Sequence, residues 1–113
     1  MRTYYVYILS DRYRSLLYTG VTNNLERRLF EHRSQHNPNS YTARYDITYL
    51  VYFETHGLAA YAAIREKEIK RMSRFEREQL IRQFEAEEKN CPPHLKNPYA
   101  PPGRLRIRPQ PPW

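Results

Sequence analysis

The sequence predicts a small α+β domain. A three-stranded antiparallel sheet is flanked by helices in the order β-β-α-β-α-α, with a Pro/Arg-rich C-terminal tail. Three observations lead there. The N-terminal half holds three short runs dense in tyrosine and branched aliphatic residues, the composition of strands. The segments after the second and third runs carry capping residues and strong helix formers. Eight of the nine prolines follow Cys91, where no further core element is expected.

The elements follow in order. Tyr4–Leu9 (YYVYIL) reads as the first strand and Leu16–Val21 (LYTGV after Leu16) as the second, joined by a polar connection of hairpin length. Asn23 or Asn24 offers an N-cap, and Leu25 and Leu29 share one helical face, so a helix begins here and NPNS at 37–40 interrupts it. Ile47–Glu54 (ITYLVYFE) reads as the third strand. Gly57 breaks the chain, and the alanine-rich Leu58–Met72 predicts a second helix. Ser73 with Glu76 forms a capping-box pattern, which predicts a third helix to about Glu88, with Leu80, Ile81 and Phe84 as its core contacts. Helices must cover one face of so small a sheet, and the other face is expected to stay open for a site.

A length of 113 residues suits one domain, expected over 1–88, with 89–113 as a basic, extended or disordered tail. The net charge of +7 favours a polyanionic partner, such as nucleic acid, an anionic membrane face or an acidic protein. The tail from Cys91 onward contributes Lys96, Arg104, Arg106 and Arg108 and no acidic residue. A solvated terminus is its ordinary reading, ahead of a nucleic-acid-binding arm. The single cysteine makes no internal disulfide, and no apolar run approaches the roughly 20 residues a membrane span needs. MRTYYVYIL reads as a first strand and not as a signal peptide, so a cytoplasmic protein with no membrane partner is expected.

Polar groups in unusual places mark the candidate site. A hairpin turn centred on Arg12–Tyr13 places Tyr7 directly opposite Tyr18, two phenols on one face. A stabilising aromatic pair is the ordinary explanation. Gly20 shares the face of Tyr18, and a glycine inside a strand often marks a close approach to the backbone. On the first helix Arg28 and His32, one turn apart, border the stripe of Leu25 and Leu29, while Arg27 and Glu31 point elsewhere. A snorkelling arginine and a hydrogen-bonded histidine would explain them without function. On the second helix Glu66 falls on the face of Leu58, Ala59, Ala62, Ile69 and Met72, although glutamate is rarely buried unpaired. Either it is salt-bridged to Arg65 or Arg28, or it binds a divalent cation at the edge of a cleft.

These residues, in this order, resemble the GIY-YIG nuclease superfamily, in particular its small single-domain bacterial members. YVY at Tyr5–Tyr7 stands where that family has GIY, and YTG at Tyr18–Gly20 stands where it has YIG. NNLERRLFEH supplies the helix with Arg28 and His32. YTARY at 41–45 followed by LVYFE, and AAIREKEIKRMSR with Glu66, look like the later blocks. The match spans roughly residues 3–84, and Tyr5 and Thr19 depart from the family's glycine and isoleucine.

The resemblance implies hydrolysis of a DNA phosphodiester with one divalent metal, Mg²⁺ or Mn²⁺, in the setting of DNA repair. Tyr7, Tyr18, Arg28, His32 and Glu66 are then the catalytic set. Glu66 would bind the metal, Arg28 would hold phosphate oxygens, and Tyr7 is the candidate general base, with Tyr18 orienting water or phosphate. A phenol near its ordinary value of about 10 is a poor base, so Arg28, the metal and His32 are expected to lower it. Gly20, Arg44, Lys70, Arg71 and Arg74 are candidate nucleic-acid contacts, with ordinary surface charge as the bland alternative. RNA is the alternative substrate to DNA, and specificity is either low and structure-directed or supplied by another protein. The competing reading is a non-catalytic nucleic-acid-binding module or an accessory subunit of a repair complex. A basic domain that binds an acidic protein is a third.

Overall fold

The structure, a computed structural model, describes residues 2–34 and 41–89. The expected tail lies outside the described residues except for Lys89, which closes the last helix, and the NPNS interruption lies outside them too. The elements are β1 (Tyr4–Ser10), β2 (Leu17–Thr22), α1 (Leu25–Arg33), α2 (Tyr41–Arg44), β3 (Tyr49–His56), α3 (Ala59–Arg71) and α4 (Arg74–Lys89). The order β-β-α-β-α-α holds, with the one-turn α2 inserted before β3 where no element was expected.

The sheet is antiparallel with β1 in the centre, flanked by β2 and β3. Alternation along β1 sends Val6 and Ile8 to one face and Tyr7 and Leu9 to the other, and all four are buried. The first face packs with Val51, Ala62, Ile69 and Ile81 under α3 and α4. The second packs with Leu29 of α1, Ile47 and Leu50. The expectation of an open face is therefore wrong. A strand apolar on both sides must be covered on both, and α1 lies over the tyrosines.

The hairpin register also differs from expectation. Tyr7 pairs with Gly20, and Tyr18 with Leu9. The reversal is centred one residue later than Arg12–Tyr13, because Arg14 takes the left-handed backbone conformation (φ 59°) and its N–H bonds the Asp11 carbonyl at 3.2 Å. The Asp11 carboxylate then accepts from the Leu16 N–H at 3.0 Å, closing the loop. The slip is two residues, so Tyr7, Tyr18 and Gly20 remain on one face.

β3 begins two residues later than expected. Asp46 turns the chain (φ 55°), Ile47 drops into the core outside the strand, and a bulge opens opposite Ile8/Leu9. Asn24 caps α1 by accepting from the Arg27 N–H. Ser73 and Glu76 form the reciprocal capping box that starts α4. Ile81 is buried, Leu80 packs on its cluster, and Phe84 meets Tyr52 and Phe53 edge-on at 5.6 and 5.3 Å. On α3, Ala62 and Ile69 are buried, but Leu58 is 55% exposed at the N-cap and Ala59 is also exposed, so the apolar stripe is shorter than its spacing suggests.

Candidate active site

The site is built where α1 crosses the second face of the sheet. Leu29 anchors the helix, and the residues on either side of it one turn apart, Arg28 and His32, come down beside the phenols. The Tyr7 hydroxyl lies 3.4 Å from His32 Nε2 and accepts from Arg28 Nε at 3.4 Å. Both contacts sit at the long edge of hydrogen bonding. Tyr18 completes the group: its ring is 6.4 Å from Tyr7 and 5.7 Å from His32, centroid to centroid. His32 is buried, Tyr18 half-buried, and Arg28 keeps 43% of its side chain exposed to meet a ligand.

Electrostatics separate the roles. Burial pushes the Tyr7 hydroxyl above its ordinary value, and Tyr18 and Glu66 add to the rise; the hydrogen bond and charge of Arg28 oppose it without prevailing. The expectation that neighbouring cations lower Tyr7 is thus not met in the free protein. His32 is no cation either, since burial and the Arg28 charge push its ring below the usual histidine range against the pull of Glu31. Arg28 is raised, chiefly by its bond to Tyr7. The site at rest holds a phenol, a neutral imidazole and a fixed guanidinium.

Glu66, on α3, is close enough for its charge to act on Tyr7. Its carboxylate is 18% exposed and pairs with Lys70 at 3.2 Å. Neither partner expected for it is used. Arg65 donates to both oxygens of Glu54 at 3.0 and 3.1 Å, and Arg28 pairs with Glu31 at 3.3 Å. Glu31 therefore belongs to the site's edge, contrary to its expected orientation; its i,i+3 spacing from Arg28 was the available signal. No group of three His, Cys, Asp or Glu side chains converges among the described residues. A single half-buried carboxylate nevertheless fits Mg²⁺, which takes one or two carboxylates and fills its shell with water and phosphate oxygens.

Thr42 is the residue that sequence reasoning missed. It sits in α2, is buried, and its Oγ1 lies 3.0 Å from His32 Nδ1. Nothing in the spacing marks a threonine on a one-turn helix as a partner of the site.

The candidate nucleic-acid contacts are dispersed. Gly20 lies under the Tyr7 ring. Arg44 is exposed on α2 and lies 5.9 Å from the Tyr45 ring centroid. Arg71 is exposed at the end of α3, and Lys70 is held by Glu66. Arg74 bonds the carbonyls of Arg14 and Ser15 and pairs with Glu78 at 3.3 Å, which ties α4 to the hairpin loop.

Comparison with known proteins shows the family of the chain. Residues 3–80 match the family model described as the GIY-YIG catalytic domain. A UPF0213 protein of Syntrophus aciditrophicus (strain SB) is 44% identical over 81 residues, 70% of this chain and 90% of that one. A UPF0213 protein of Clostridium perfringens (strain 13 / Type A) is 41% identical over 86 residues, 76% of this chain and 90% of that one. The solution NMR structure of a UPF0213 protein from Bacillus halodurans is similar at 33% identity, with a TM-score of 0.46, covering 72% of this chain and 84% of that one.

Proposed function

The chain belongs to the GIY-YIG family, a family of nucleases, and from that premise we propose that it is an endonuclease that hydrolyses DNA phosphodiester bonds with a divalent cation. The observation that carries this reading is the Tyr7 hydroxyl, shared by Arg28 and His32 within 3.4 Å and within electrostatic reach of Glu66.

Phosphodiester hydrolysis needs a deprotonated water, stabilisation of charge on the phosphoryl oxygens, and help for the leaving oxygen. Arg28 presents a charged planar fork on the open side of the site and holds the phosphate there. Tyr7 takes the proton of the attacking water while its own proton passes to His32 Nε2, 3.4 Å away. Arg28 Nε steadies the phenol oxygen through that exchange. Tyr18, half-buried beside both, orients the water or a phosphate oxygen through its hydroxyl. Glu66 is the residue that would hold Mg²⁺ or Mn²⁺, which supplies Lewis-acid polarisation of the phosphate and stabilises the leaving oxygen. Arg44, Lys70 and Arg71 are the proposed backbone contacts. Arg74 ranks behind them because its guanidinium already links α4 to the hairpin loop. A DNA-repair setting, with a partner protein that supplies specificity, is the matching proposal for context.

The test is a panel of supercoiled plasmid, branched DNA, single-stranded DNA and RNA, each with Mg²⁺, Mn²⁺ or chelator. Metal-dependent cleavage of DNA supports the reading. Salt-sensitive binding without cleavage on every substrate would replace it with the binding module.

A further inference from the structure

We propose that Thr42 is a positioning residue: through its Oγ1 it fixes the His32 ring so that the Nε2 lone pair faces the Tyr7 hydroxyl. The consequence for catalysis rests on the nuclease reading above; the ring orientation does not.

His32 is 8% exposed and Thr42 5%. Among the described residues the imidazole has one polar neighbour at each nitrogen, Thr42 Oγ1 at 3.0 Å from Nδ1 and the Tyr7 hydroxyl at 3.4 Å from Nε2. The Tyr7 and Tyr18 rings meet it nearly edge-on, at 67° and 64°, and restrict its rotation. A neutral imidazole carries one N–H and one lone pair, so what one nitrogen does dictates the other. The Tyr7 oxygen already accepts from Arg28 Nε. Tyr7 is 1% exposed, so its own O–H requires an acceptor inside the protein. His32 Nε2 is that acceptor, which places the ring proton on Nδ1, donated to Thr42 Oγ1. All four groups then bond in one direction: Arg28 Nε–H to Tyr7, Tyr7 O–H to His32 Nε2, and His32 Nδ1–H to Thr42. Bonds aligned in series strengthen one another. The reverse tautomer gives the Tyr7 oxygen two donors and leaves its proton no acceptor among the described residues.

The local fold holds the hydroxyl in place. The Thr42 carbonyl accepts the Ile47 N–H at 2.8 Å, tying α2 to the buried entry of β3. This gives the unexpected one-turn α2 a purpose: it delivers one oxygen to the back of the catalytic histidine.

The experiment reads the His32 tautomer from long-range ¹H–¹⁵N correlation spectra of the free protein near neutral pH, for wild type, Thr42→Val and Thr42→Ser. It pairs these with cleavage kinetics on the best DNA substrate of the panel. Expected are the Nδ1–H tautomer in wild type and Thr42→Ser, and loss of that preference in folded Thr42→Val. In Thr42→Val kcat should fall by about 10–100-fold, the range for partners that orient a functional imidazole, with KM little changed. Thr42→Ser should cleave like wild type. An Nε2–H tautomer in wild type would overturn the proposal, as would an unchanged tautomer and rate in folded Thr42→Val. If Thr42→Val does not fold, the wild-type and Thr42→Ser spectra still decide. If wild type cleaves nothing, the nuclease reading fails while the spectra continue to test the orientation.

Discussion

Gly20 stands directly opposite Tyr7 across the β1–β2 pair, and the Tyr7 phenol fills the space that a side chain at position 20 would take. A Cβ there would lie 2.6 Å from the Tyr7 hydroxyl and 2.7 Å from its Cζ. The glycine makes room for the phenol, which is then free to meet Arg28 and His32.

Gly20→Ala is therefore expected to displace the Tyr7 ring. Overpacking of this kind costs about 1–3 kcal/mol, measured by denaturant unfolding, and cleavage should fall with it. Adding Tyr7→Phe should not restore stability, because the ring carbon clashes as closely as the oxygen. Wild-type stability in Gly20→Ala would show that the hairpin shifts freely.

Thr19 replaces the family's isoleucine and points into the other core, where its Oγ1 is buried with no hydrogen-bond partner among the described residues. Thr19→Val removes that hydroxyl at nearly constant volume. It should stabilise the protein by about 1–3 kcal/mol, the desolvation cost of an unmet polar group, with cleavage unchanged. Thermal unfolding with no gain would show that the hydroxyl is satisfied in solution.

Arg28→Lys keeps the charge and removes both the Nε donor to Tyr7 and the planar fork. Cleavage should fall by about 10²–10³-fold, as for loss of one preorganised donor to a developing oxyanion. Stability should move within about 0.5 kcal/mol, since the side chain is well exposed. A lysine variant with full activity would reduce Arg28 to a bulk charge.

Acid should destabilise the fold through His32. Its folded value lies below the unfolded value of about 6.5, so between the two the unfolded chain binds more protons and stability rises with pH. Acidification below about 6.5 thus lowers the denaturant midpoint until the folded value is passed. Glu54, depressed by Tyr52, His56 and Arg65 against the cost of its burial, adds a loss of the same sign in the carboxylate range. His32→Gln should flatten the upper part of this dependence. A midpoint insensitive to pH from neutrality to the carboxylate range would contradict the shift.

Much of this fold was legible because local chemistry and tertiary structure agree. Asn24, Ser73 and Glu76 are caps in sequence and in space. Tyr7 and Tyr18 share a face because strand alternation survives a two-residue error in register. That error arose because the connection has no Asn-Gly or Asp-Gly pair to fix its centre, and Arg14 supplies the left-handed residue instead. The face given to the tyrosines was harder to read. So small a sheet suggested one open face, yet Tyr7 is as buried as Val6 or Leu9 beneath Leu29. Burial in turn reversed the expected shift of Tyr7, since desolvation depends on neighbours that no local pattern reveals. Thr42 was invisible for the same reason: its role exists only in its distance from His32.

The most direct test compares wild type, Tyr7→Phe and Glu66→Ala for nicking of supercoiled plasmid with Mg²⁺, Mn²⁺ or chelator, with each variant's fold verified by circular dichroism. Metal-dependent nicking by wild type, absent with chelator and lost in both folded variants, is the predicted result. Full activity in Glu66→Ala would contradict the metal assignment, and full activity in Tyr7→Phe would remove the phenol from the chemistry.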